Sequence, residues 1–373
     1  MTRRRRGYYS QFEELTPQEV SAQLRAEADA RRAKALERVE PLDLRSLTWP
    51  ELPPSRVVNA ITYAARRGLH RELDPDAGEL RSELAHRHGL PDGRVAVGPG
   101  ASGLLGAAAQ ALLEPGDELL LPWPSWHLLP AIARRARAEP VAVPGFGVET
   151  VLGHVTGATR LVVLCNPNDP TGELLRAEDL RALLEHLPER VVVVVDEALR
   201  DFALEEELDA TVALLEDHPR LLLIRTFSKA WGLAGLRCGY ALGGPGAEPL
   251  LELLRPWLGL DELARAGALE ALRSVGPVVE RRTTAVARRR AWLLGEARAL
   301  GLHAPDTHAN LLWLRADGVD GAELARRLGD NAVLVAAGGP LGDPTHVRAT
   351  VPHDDALGER LLQALRRAAG AGS

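Results

Sequence analysis

From residue 94 onward the chain alternates short, nearly unbroken apolar blocks with longer stretches in which apolar residues recur every third or fourth position. The blocks Arg94 to Val97, Glu118 to Leu121, Pro140 to Val143, Leu161 to Cys165, Arg190 to Val195 and Leu221 to Arg225 predict strands. The periodic stretches Leu80 to His88, Gly103 to Leu113, Trp126 to Arg137 and Ala177 to His186 predict helices between them. A run such as Val191-Val192-Val193-Val194-Val195 offers no polar face, so its strand is buried on both sides. Strands of that kind belong to a mainly parallel sheet flanked by helices, and an α/β fold is expected, with a large domain over 45–250. Further on, an arginine-rich helix from Glu280 to Leu300, strands at Leu311 to Leu314 and Val333 to Val335, and a closing helix from Asp355 predict a smaller α+β domain over 251–373. Ahead of the sheet, a polar helix over about 11–40 makes an N-terminal arm, 1–44, and Trp49-Pro50-Glu51-Leu52-Pro53-Pro54 a stiff linker, because consecutive prolines preclude helix.

The bulk numbers narrow the function. The 373 residues, 46% of them hydrophobic, are enough to bury a sizeable core, as in a soluble globular protein. A net charge of -6 supplies no basic face for nucleic acid. The cluster Arg3 to Arg6 reads as a solvated tail, and Tyr8, Tyr9 and Gln11 after it are not the apolar core of a secretory signal. No run is long enough to span a membrane. Cys165 and Cys238 lie in apolar, strand-like surroundings outside any metal-ligand spacing, so no metal is expected and a reducing, cytoplasmic setting is.

Charge chemistry changes the picture more sharply. Of 45 lysines and arginines only two are lysine. Lys34 sits in the polar run Arg31-Arg32-Ala33-Lys34, whereas Lys229 sits in Thr226-Phe227-Ser228-Lys229-Ala230-Trp231-Gly232-Leu233-Ala234-Gly235-Leu236-Arg237. A chain that uses arginine for charge keeps lysine where an amine nucleophile is needed, a task closed to guanidinium. Gly98-Pro99-Gly100-Ala101-Ser102-Gly103 follows a strand and opens a helix, the spacing of a dinucleotide turn. The acid that reading requires at the end of the next strand is missing, since Asp117 and Glu118 precede the strand and Leu121-Pro122 ends it. An anion site for one phosphate remains, or a tight turn alone. Asn166-Pro167-Asn168-Asp169-Pro170-Thr171-Gly172 and Asp196-Glu197-Ala198-Leu199 follow two buried strands, at the edge where α/β sheets bind ligands. Asp196 is an acid at a buried strand tip, and it needs a partner there such as a pyridinium nitrogen. Arg348 interrupts an apolar strand pattern in His346-Val347-Arg348-Ala349-Thr350-Val351, as a surface cation or as a fork for a carboxylate. A phosphate pocket, an amine and an acid for a ring nitrogen are what pyridoxal phosphate requires.

With these motifs the chain resembles the class I/II aminotransferases, fold-type I pyridoxal-phosphate enzymes, and is most similar to the histidinol-phosphate aminotransferase-like branch. The resemblance covers about residue 40 to the C-terminus and carries three motifs in the family's order, Asn166 to Gly172, Asp196 to Ala198 and Thr226 to Arg237. It implies that Lys229 bonds the cofactor, that Asp196 pairs with the pyridine nitrogen, and that Thr226, Ser228 and Arg237 hold the phosphate with Gly100, Ala101 and Ser102. Trp126 would stack on the ring and Ala198 pack on its opposite face, while Arg348 would receive the substrate's α-carboxylate with Asn310 nearby. The implied enzyme is a homodimeric aminotransferase that exchanges an amino acid and a keto acid. The chain departs from the family pattern at Asp169, where an asparagine is usual, at Leu199, where a tyrosine is common, and at Glu72 in Arg71-Glu72-Leu73-Asp74, where the family has Arg-Tyr-Pro-Asp. Asp169 and Leu199 stand where neutral donors usually serve the cofactor's phenolic oxygen. Ala336 replaces an arginine usual in histidinol-phosphate enzymes, against a phosphorylated substrate. Other reactions of the same cofactor (decarboxylation, elimination, oxidation), a non-catalytic ligand-binding protein and an NAD-dependent reductase are the alternatives.

Overall fold

The computed structural model describes residues 40–71, 74–257 and 259–370, together with 22, 24, 26 and 27, which are helical. The rest of the expected arm helix, the Arg3 to Arg6 cluster and Glu72 lie outside the described residues. The continuous chain opens with strand β1 (Leu42–Asp43) and helices α1 (Ser55–Gly68) and α2 (Gly78–His88). A seven-stranded sheet follows, built from β2 (Val95–Gly98), β3 (Glu118–Trp123), β4 (Glu139–Pro144), β5 (Thr159–Cys165), β6 (Val192–Asp196), β7 (Leu221–Thr226) and β8 (Gly239–Gly243) in the order β2-β8-β7-β6-β5-β3-β4. Helices α3 (Gly100–Leu112), α4 (Leu129–Arg135), α5 (Val148–Leu152) and α6 (Ala177–His186) connect its strands.

Pairings from β4 through β3, β5 and β6 to β7 are parallel, and β8 alone runs against its neighbours β7 and β2. The parallel strands are nearly continuous Val and Leu because both faces are covered; Val193, Val194 and Val195 are at most 1% exposed. Burying each such side chain stabilises the fold by about 1.5–3 kcal/mol. Strand β8 escapes the sequence pattern because it is short and bounded by glycines. Its Gly239 has a structural reason: a Cβ there would lie 2.8 Å from Ala101 N, so the backbone opening α3 rests directly on the strand. The helix expected from Trp126 begins only at Leu129. The chain first turns, with Leu129 N–H donating to Trp126 O at 3.0 Å, and Pro130, lacking an N–H, fits only the first helical turn.

After β8 come α7 (Glu248–Leu254), α8 (Glu262–Ser274), α9 (Gly276–Ala299), β9 (Leu311–Leu314), α10 (Gly321–Gly329), β10 (Val333–Leu334), β11 (Ala336–Ala337), β12 (Val347–Thr350) and α11 (Asp355–Gly370). Strands β11, β12 and β9 form an antiparallel sheet in that order, while β10 pairs in parallel with β1. The single strand expected at Val333 to Val335 is thus shared between two sheets. The arginines of α9 are divided between solvent, where Arg281, Arg288 and Arg298 lie, and the interior. Arg282, Arg289 and Arg290 are buried and donate to Ala230 O (3.2 Å), Pro352 O (2.9 Å) and Ala309 O (3.0 Å), tying this helix to both sheets' loops. Among the described residues no helix is long and apolar enough to cross a membrane.

Candidate active site

Strands β3, β5, β6 and β7 end at one edge of the large sheet, and their loops surround a cavity. Ala101, Ser102, Trp126, Asp169, Asp196, Ala198, Thr226, Ser228, Lys229 and Arg237 all line it. Gly100 lies beneath the Arg237 guanidinium. Arg348 and Asn310 stand behind its wall, the first against Asp169 and the second donating to Leu47 O at 3.1 Å.

Lys229 is held by the loop that follows β7. Leu233 N–H donates to Phe227 O at 2.9 Å and Gly232 N–H to Lys229 O at 3.0 Å, while buried Phe227 packs edge-on against Trp231. Its amine has no hydrogen-bond or ion-pair partner among the described residues. Burial lowers its pKa, opposed by the Asp169 carboxylate and assisted by Arg348. A desolvated amine that binds its proton less firmly is a better nucleophile at neutral pH.

Asp196 closes β6 beside it. Among the described residues only the Ala198 N–H, at 3.0 Å, is hydrogen-bonded to its carboxylate, and burial pushes its pKa up to about 6 against that bond and the Lys229 charge. A cation delivered into the cavity would relieve the cost of ionising it. Glu197, the next residue, meets the opposite fate. It is buried but satisfied, accepting from Thr211 Oγ1 at 2.6 Å and from Arg225 Nε at 2.7 Å.

The anion cradle forms where β2 enters α3. Gly100 has φ +78°, and a Cβ on it would lie 2.7 Å from Arg237 Nη2, so only glycine lets the guanidinium lie over the turn. Arg237, itself left-handed at φ +51°, donates to Ser102 Oγ at 3.2 Å and Ser228 Oγ at 3.4 Å, and no carboxylate pairs with it among the described residues. Thr226 Oγ1 donates to Cys238 O at 3.2 Å and accepts from Ser228 N–H. An unneutralised guanidinium, three hydroxyls and an uncapped helix N-terminus fit a phosphate.

The Asn166 to Gly172 loop is held by hydrogen bonds and close packing to the segments around it. Asn166 bonds both backbone groups of Leu175, at 2.8 and 2.9 Å, and buried Asn168 donates to Pro124 O at 3.0 Å while accepting from Ser125 Oγ at 3.1 Å. Gly172 (φ +75°) has no room for a Cβ beside Thr307. Asp169 projects from this loop onto Nη1 of Arg348, whose Nη2 donates to Arg45 O at 2.8 Å. Arg348 Nε and Asn310 Oδ1 are buried with no hydrogen-bond partner among the described residues. The arginine expected to wait for a carboxylate therefore already holds one, the chain's own.

Leu47, Cys165, Pro167 and Leu199 also line the cavity. Leu199 was expected only as a departure from the family, and Leu47, from the segment after β1, carries no sequence signal because tertiary folding alone brings it there.

A profile of the family described as aminotransferase class I and II matches residues 42–365. The aromatic amino acid aminotransferase of Corynebacterium efficiens is 35% identical over 302 residues, 79% of this chain and 85% of the relative. Among solved structures, an aspartate aminotransferase double mutant of Thermus thermophilus superposes with TM-score 0.79 at 26% identity, covering 92% of this chain and 95% of that one. The histidinol-phosphate aminotransferase of Sinorhizobium meliloti, in complex with pyridoxal 5'-phosphate, gives TM-score 0.80 at 26% identity over the same shares. By the extent of the profile match and the identity to the curated relative, the chain belongs to the aminotransferase class I and II family.

Proposed function

We propose that the protein is a pyridoxal-phosphate-dependent aminotransferase that takes the amino group of a free α-amino acid and passes it to a keto acid. The observation that carries this reading is the grouping of a buried amine, Lys229, and an Arg237 that no carboxylate neutralises, both among the described residues, with a buried Asp196 whose ionisation is disfavoured. The phosphate would be held by the Gly100 to Ser102 turn, Thr226, Ser228 and Arg237, the pyridine nitrogen by Asp196, and the ring between Trp126 and Ala198. The cofactor supplies an electron sink for the bond broken at the substrate's α-carbon. Lys229 would hold the cofactor covalently and, as general base and acid, would take the substrate's α-proton and return it. Arg348 receives the α-carboxylate, and apolar Leu47 and Leu199 favour an uncharged side chain. The curated relative's aromatic substrate class supports an aromatic amino acid. Two buried, unpaired cysteines suit a reducing cytoplasm. A homodimer is supported by Tyr63, Leu69, Leu253 and Trp257, which are 61 to 98% exposed on α1, on α7 and on the chain beside them.

Incubating the purified protein with pyridoxal phosphate, an aromatic amino acid and 2-oxoglutarate should yield glutamate. Borohydride treatment of the loaded protein should fix the cofactor on the peptide containing Lys229, and fixation elsewhere would refute the assignment.

A further inference from the structure

We infer that Asp169 is a built-in competitor for the substrate's carboxylate: it holds Arg348 in the unliganded protein and sets how strongly the site distinguishes a carboxylate from a neutral group. The inference rests on the reading of Arg348 as the carboxylate site and adds a specificity-determining residue to it.

The Arg348–Asp169 pair is largely removed from water, with side chains 10% and 14% exposed. A carboxylate is best recognised by two parallel N–H groups of one guanidinium. Here Nη1 serves Asp169, Nη2 serves the Arg45 carbonyl at 2.8 Å, and Nε is buried without a partner among the described residues. A second carboxylate therefore cannot gain a free fork. It must displace Asp169 or share the guanidinium with a like charge beside it, and in so dry a place either route weakens binding.

Asp169 cannot simply swing away with its loop. Asn168 is locked by Ser125, Pro124 and Thr171, and Gly172 N–H donates to Asn168 O at 2.7 Å. Displacement is confined to rotation of the Asp169 side chain, into a cavity that already contains Asp196 and Lys229. The competitor is consequently tethered at the site at all times, and its effective concentration never falls. A ligand with an uncharged group in place of the carboxylate escapes this competition.

The test uses the cofactor-loaded protein and two unreactive probes, 3-phenylpropionate and 3-phenylpropionamide, with dissociation constants measured calorimetrically. In the wild type the acid should bind no more than about threefold better than the amide, because Arg348 is already neutralised. Asp169→Asn should tighten the acid roughly 10- to 100-fold, the scale of one charged hydrogen bond, and leave the amide within about twofold. Asp169→Ser should act in the same direction, which guards against an idiosyncrasy of either variant. In the double variant Asp169→Asn with Arg348→Gln, the gain for the acid should disappear. Unchanged acid affinity in both Asp169 variants, with Arg348→Gln alone still weakening the acid, would overturn the competitor and leave Arg348 as the carboxylate site. If Arg348→Gln does not weaken the acid in the Asp169→Asn background, the reading of Arg348 fails and the inference with it.

Discussion

Replacing Asp196 with asparagine should stabilise the cofactor-free protein near neutral pH while weakening its hold on the cofactor. In the folded protein burial raises the carboxyl from 3.8 to about 6, so the protonated form is favoured by the fold. For a group shifted upward, stability is fully present below the unfolded pKa and is lost as pH rises through the folded one. Between about pH 3 and pH 8 the wild type should therefore lose about 3 kcal/mol through this one side chain, at about 1.4 kcal/mol per unit of the rise from 3.8 to about 6. The asparagine of the variant cannot ionise, and every other titrating group is common to both proteins. The difference in unfolding free energy, measured by urea denaturation of the cofactor-free proteins, should open by about that amount across the range and level off at both ends. Adding pyridoxal phosphate should reverse the order at pH 8, because a pyridinium compensates Asp196 and gains nothing from an amide. Parallel stability curves for the two cofactor-free proteins would refute the claim that burial of Asp196 is what makes the cavity ready for a cation.

Other perturbations test the surrounding framework. Lys229→Ala should abolish borohydride fixation and amino transfer while leaving the cofactor-free fold intact by circular dichroism. Glu197→Ala leaves the buried Arg225 with Asp209 as its remaining carboxylate, and should cost about 3–5 kcal/mol in urea denaturation. If the proposed dimer forms through this surface, Trp257→Glu, at a side chain 98% exposed, should lower the mass measured by light scattering to that of one subunit without unfolding it.

Much of the large sheet and of the set of residues that line the cavity was legible in the sequence. Buried parallel strands leave unbroken apolar blocks, and their polar termini, Asp196 and the Asn166 to Gly172 loop, stand out against them. Lys229 was visible because the chain spends almost no lysine elsewhere. What could not be read depends on distant partners. Asp169 and Arg348 are 179 residues apart, and each taken alone has an ordinary reading, a loop acid and a strand cation. The buried arginines of α9 were equally opaque, since periodicity cannot reveal that carbonyls of Ala230, Ala309 and Pro352 await them. Strand β8 was missed because its glycines, normally signs of a loop, are required here by the close approach of the α3 turn.

The adjacent acids at the end of β6 explain how the fold tolerates a cavity poised in this way. Asp196 is buried with one backbone donor and is costly to ionise, whereas Glu197 is buried in a pair with Arg225, which Asp209 also holds at 2.5 Å. Arg225 keeps its charge despite burial because these two carboxylates outweigh the desolvation. The second network extends from Asp209 to His88, 3.0 Å away, and from His88 to Tyr240 on β8 at 3.1 Å, so it braces the strands on which the anion cradle rests. Ionisable groups that satisfy one another fix the ends of β6, β7 and β8, and the group left unsatisfied among them is the one that faces the cavity. Disrupting the satisfied network should loosen the fold, and neutralising Asp196 should tighten it at the expense of cofactor binding.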